Sequence, residues 1–126
     1  MKIIVVESSD ELAREILGIV RKQWGKVTLV AAHGGINGLE LSRRESPDIA
    51  IIDLELLDIR GLETIKRFRL LSEAPVLVLA KEGDEDDIDR ALEYGANGYL
   101  LKPFRPVELI ARLKALIEEG DVSKRM

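Results

Sequence analysis

The sequence contains no cysteine, which excludes disulfides and thiolate metal sites. No apolar run reaches the ~18 residues that a membrane span needs. The start, Met1-Lys2-Ile3-Ile4-Val5-Val6, turns acidic at Glu7. It lacks the longer apolar stretch and small-residue cleavage site of a secretory signal, so the expected location is the cytoplasm. There is no block of basic residues either. Pairs such as Arg43-Arg44 and Lys66-Arg67 are scattered, and the net charge is −4. Direct nucleic-acid binding is therefore not expected. Gln occurs once and Asn twice, a bias associated with warm habitats. What is present suits one compact domain: 126 residues, 46% hydrophobic and 33% charged.

Short β-branched runs alternate with helical periodicities. Ile3 to Val6, Val27 to Ala32, Ile49 to Ile52, Val76 to Leu79 and Gly98 to Leu101 read as strands, several of them buried on both faces. Ser8 to Glu11 has the S-x-x-E form of a capping box, ahead of Leu12, Ile16, Ile19 and Val20 at helical spacing. A second helix follows His33-Gly34-Gly35, although Gly34, Gly35 and Gly38 weaken it. Gly61 to Leu71 is amphipathic. Asp84 to Tyr94 has an acidic first turn and is ended by Gly95. Pro106 opens a last helix with an apolar stripe from Val107 to Ile117, ended by Gly120. Five strands alternating with five helices predict a parallel sheet covered on both faces. Residues 1–119 form the expected domain, and 120–126 read as a polar tail or a truncated linker. Chemistry in such sheets gathers beyond the strand C-termini. Glu7, Asp53, Ala80-Lys81 and Lys102 fall there.

Asp53 directly follows an apolar strand. A carboxylate there serves as a nucleophile, a metal ligand or a polar cap. Lys102, ahead of Pro103 at the end of another strand, can neutralise a carboxylate or hold a phosphoryl oxygen, or extend into solvent. At this point the segments Ile3 to Glu7, Pro47 to Leu56, Ala74 to Leu79 and Ala91 to Phe104 match a known family in order and spacing. Residues 2–119 resemble a response-regulator receiver domain of two-component signalling. The resemblance implies a flavodoxin-like (βα)5 fold with strand order 2-1-3-4-5. By position, Asp53 resembles the aspartate that takes a phosphoryl group from a histidine kinase or phosphotransfer protein. Lys102 resembles the lysine that contacts that group, and Tyr99 the switch aromatic on the fifth strand. Glu7, Asp53 and the backbone carbonyl of Glu55 stand at the magnesium positions.

The family pattern breaks in two places. Ser8 stands where a second acid normally touches the metal, so magnesium is expected to bind more weakly by at least about an order of magnitude. Ser8 also suits a helix N-cap. Ala80 replaces a threonine or serine whose hydroxyl couples phosphorylation to Tyr99. The space this frees would let Tyr99 rest inward without a signal; the alternative is a half-buried strand tyrosine with its hydroxyl in water. Lys81, bulkier than usual, crowds the acceptor, stands in part for the missing cation with its ammonium, or points to water. In the acceptor loop, Leu57 and Arg60 depart from the common Pro and Asp.

The last helix resembles that of receivers fused to winged-helix DNA-binding domains, which dimerise through the fourth helix, fifth strand and fifth helix. Glu108 and Arg112 match that surface, or pair with each other along the helix. Ile88 takes an arginine's place and would add an apolar spot. The expected function is thus phosphoryl acceptance on Asp53, with an impaired metal and switch site. The alternative is a phosphorylation-independent interaction module. No enzymatic activity is expected: Asp53-Leu54-Glu55 lacks the Asp-x-Asp of a phosphohydrolase, and no Gly-rich phosphate loop follows the first strand.

Overall fold

The computed structural model describes residues 1–125; for 120–125 it describes the backbone only. The end of the expected tail, Met126, lies outside the described residues. Ten elements alternate: β1 (Lys2–Val6), α1 (Asp10–Gln23), β2 (Thr28–Ala32), α2 (Gly35–Glu45), β3 (Ile49–Asp53), α3 (Gly61–Leu71), β4 (Val76–Lys81), α4 (Glu85–Glu93), β5 (Gly98–Lys102) and α5 (Pro106–Arg125). The strands form one parallel sheet in the order β2-β1-β3-β4-β5. This is the expected flavodoxin-like order.

The strand period of two divides the core. Ile3, Val5, Ile49, Ile51, Leu77, Leu79 and Leu100 pack on one face against Ile16 and Val20 of α1 and Leu109, Leu113 and Leu116 of α5. Ile4, Val6, Ala50, Ile52, Val76 and Val78 pack on the other against Leu62, Ile65 and Phe68 of α3 and Ala91 of α4. By the same parity, Glu7, Asp53 and Lys102 continue the α1–α5 side. Ala80 and Tyr99 belong to the α3–α4 side.

Local details depart from the sequence reading. The N-cap of α1 is Ser9, whose hydroxyl accepts from the Leu12 N–H at 3.2 Å. Ser8 is not the cap, because its hydroxyl is engaged between two loops. The glycines of α2 permit close packing: a Cβ on Gly38 would lie 2.8 Å from the Val6 side chain. Gly34 offers α2 no side-chain cap, and the carboxylate of Asp58 supplies one from the β3–α3 loop. It accepts from the N–H groups of Gly35 at 2.9 Å and Ile36 at 3.0 Å. Gly95, at φ +108°, ends α4 in a conformation that favours glycine. Strand β4 extends two residues beyond the apolar run, so Ala80 and Lys81 lie within it. Helix α5 does not stop at Gly120 but continues to Arg125.

Candidate functional site

Asp53 ends β3 between β1 and β4 and is wholly buried, at 0% exposure. Its two oxygens are each engaged. The Lys102 ammonium, from the end of β5, donates to Oδ2 at 2.6 Å. The backbone N–H of Glu55 donates to Oδ1 at 2.7 Å. Burial pulls the Lys102 ammonium towards neutrality, but the Asp53 carboxylate, helped by Glu7 and Glu55, holds its pKa above the usual lysine value. An ammonium and a carboxylate, separated by 49 residues, thus share one pocket at the sheet's C-terminal rim.

Glu7, just beyond β1, joins them at 4% exposure. Burial above all, with the neighbouring Asp53 carboxylate, pushes its pKa from 4.5 up to about 8. Its Oε2 accepts from the Ser9 N–H at 3.0 Å, while Oε1 is buried without a hydrogen-bond partner. Among the described residues no three His, Cys, Asp or Glu side chains gather into a metal-holding group. The donors that could hold a cation are the Glu7 and Asp53 carboxylates and the Glu55 carbonyl. They are hard oxygens of the kind magnesium takes, and the orphaned Glu7 Oε1 suits such an ion. The Ser8 hydroxyl beside them donates to the His33 carbonyl at 2.8 Å and accepts from the Leu57 N–H at 3.2 Å.

Lys81 points to water, as one of its readings expects, with its side chain 58% exposed. Its ammonium lies 3.4 Å from Glu55 Oε1, joining the end of β4 to the loop after β3. The sequence reading treated Lys81 and Glu55 separately and missed this contact; their opposite charges at neighbouring strand ends were the available signal. Ala80 is fully buried and has no hydroxyl to offer. Tyr99 does not rest inward despite that. It is 38% exposed, with the Arg112 guanidinium 5.8 Å from its ring centroid.

Two features of the expected dimer face also differ. Ile88 is buried, at 7% exposure, because the apolar side of α4 turns towards the sheet; it adds no apolar spot to the surface. Glu108 does not pair with Arg112. It reaches back to the Arg105 N–H at 2.9 Å, the N3 half of a capping box for α5. That N–H above all holds its carboxyl pKa below the ordinary value.

A (βα)5 sheet with an aspartate and a lysine meeting at its C-terminal rim defines a class, and the comparisons agree. Residues 3–114 match the response regulator receiver domain, and the chain belongs to that family. It is 35% identical over 120 residues to the DNA-binding response regulator MtrA of Mycobacterium tuberculosis, covering 95% of this chain and 52% of that one. It is 34% identical over 114 residues to the transcriptional regulatory protein CseB of Streptomyces coelicolor, covering 90% and 48%. The chain thus spans about half the length of these curated relatives. In fold it is similar to a CheY-like receiver domain protein of Methanospirillum hungatei, with a TM-score of 0.88, 20% identity and 97% of each chain covered. The protein is a receiver domain of two-component signalling. Among its described residues no helix is long and apolar enough to cross a membrane.

Proposed function

We propose that Asp53 accepts a phosphoryl group from the phosphohistidine of a kinase or phosphotransfer protein, at a site with weak metal support and a broken relay to Tyr99. The observation that carries this reading is the 2.6 Å contact of Lys102 with the buried Asp53 carboxylate. An Asp53 oxygen attacks phosphorus, and an acyl phosphate bond forms as the donor's N–P bond breaks. The electron pair of that bond stays on the imidazole nitrogen, which takes up a proton. Charge moves off the carboxylate onto the phosphoryl oxygens, and the Lys102 ammonium follows it. The Glu55 N–H keeps the acceptor oriented. Magnesium, held by Glu7, Asp53 and the Glu55 carbonyl, would supply further charge neutralisation when bound.

A second reading has support of its own. Ala80 removes the hydroxyl that would grip the phosphoryl group, and Ser8 spends its own on the His33 and Leu57 backbones. These favour an interaction module that works without phosphorylation. In either case the likeness to a longer DNA-binding response regulator and a longer transcriptional regulatory protein supports a place as the input half of a cytoplasmic regulator. A homodimer through α4, β5 and α5 would forgo Glu108 unless its contact with Arg105 opened.

Beryllofluoride, a phosphoryl mimic, separates the two readings. In the presence of magnesium the first expects saturable amide shifts at Glu55, Lys81 and Lys102 that vanish in Asp53→Asn. Absence of any shift at saturating magnesium supports the second.

A further inference from the structure

We propose that the cleft between α3 and α4 is a docking site for an acidic segment of a partner protein. The cleft holds about 430 Å³ and has an apolar floor formed by Ile59 and Leu62, the latter buried. Its walls carry Arg60, Lys66, Arg90 and Tyr94. The acids that line it are committed elsewhere. Asp58 gives both oxygens to the first N–H groups of α2, and Glu63 pairs with Arg67 at 3.0 Å. Arg60 makes only a long 3.5 Å contact with Asp87. Among the described residues neither Lys66 nor Arg90 has an ion-pair partner. The Lys66 ammonium sits 5.6 Å from the Tyr94 ring centroid, so that wall offers a cation and an aromatic face together.

The lining carries three cations against two acids, a local excess of positive charge on a chain of net charge −4. Charge complementarity therefore selects an acidic occupant and steers its approach. The arrangement favours a peptide over a single small anion. Arg60 and Lys66 are separated by about 9 Å along α3, at ~1.5 Å per residue, and Arg90 projects from the facing helix. Carboxylates spread along a chain can meet all three, while apolar side chains between them reach Ile59 and Leu62. The cleft also adjoins the loop that follows Asp53.

The test is an amide-shift titration of the whole chain with a short synthetic peptide of alternating Glu and Leu, beside its Gln analogue. Saturable shifts are expected at Arg60, Lys66, Arg90 and Tyr94, weakening as salt is added. Reversing two charges, Lys66→Glu with Arg90→Glu, lowers affinity by on the order of tenfold or more. The pair Lys22→Glu with Lys114→Glu, on α1 and α5, changes net charge equally and leaves binding nearly intact. Circular dichroism confirms that each variant is folded. Absence of shifts in the cleft overturns the proposal, as does equal binding of the Gln analogue or persistence in the Lys66/Arg90 variant. Pyrophosphate that gives the same shifts and displaces the peptide also overturns it, in favour of a small-anion site. Binding is expected to persist in Asp53→Asn, so its failure and the failure of the phosphoacceptor reading are independent.

Discussion

Lys102 and Glu7 show how much one side chain decides. Asp53 is fully buried and its charge is balanced chiefly by Lys102. Lys102→Ala leaves a buried carboxylate unpaired, which costs about 3 kcal/mol. Urea denaturation is expected to show that loss, and Asp53→Ala added to Lys102→Ala is expected to recover most of it. Glu7 gives a pH signature. Burial pushes its carboxyl pKa from the ordinary 4.5 up to about 8 in the folded state. Between those values the folded state holds a proton that the unfolded state has released, so stability falls as pH rises through that window. Comparing wild type with Glu7→Gln isolates the effect: the difference in unfolding free energy is expected to shift in favour of the variant from pH 4.5 to about 8 and then level off. Asp53 and Lys102 were legible beforehand because each follows an apolar strand run. The state of Glu7 was not, since it depends on how deeply the pocket closes over it.

At the scale of helices, local sequence and tertiary packing pull in different directions. Gly18 on α1 and Gly38 on α2 look alike in sequence, each a weak spot in a helix. A Cβ on Gly18 meets nothing within 4 Å, whereas one on Gly38 runs into Val6. Gly18→Ala is expected to stabilise the fold by about 1 kcal/mol. Gly38→Ala is expected to destabilise it by roughly 1–3 kcal/mol through overpacking. Thermal melts of the two variants check the opposite signs. The same distinction explains what could be read in advance. Helix α2 was the least certain because of its glycines, and its cap, borrowed from Asp58 23 residues along the chain from Gly35, gave no local signal. The continuation of α5 past Gly120 was likewise invisible to local propensity. The buried strands were plain, because an apolar run on both faces has few other uses.

For the whole molecule, the question is whether an event at Asp53 reaches the α4–β5–α5 surface. Ala80, fully buried next to the last residue of β4, lies on the same side of the sheet as Tyr99. Ala80→Thr restores a hydroxyl there. Beryllofluoride is expected to move the Tyr99 amide further in that variant than in wild type. Equal shifts in both would show that the hydroxyl is not the missing link. Strand order and rim chemistry were legible from the alternation of segments. The outward Tyr99, the buried Ile88 and the Lys81–Glu55 contact were not, because each is settled by neighbours distant in sequence.

The strand period sorts these groups into two compartments. The acceptor carboxylate and its lysine belong to one, and the alanine and the tyrosine to the other, with a layer of hydrogen-bonded backbone between. A message therefore has to cross at the rim, where Asp53 and Ala80 lie near the ends of adjacent strands. It follows that the two sides can be retuned separately: substitutions in the acceptor compartment need not disturb docking on the opposite helices.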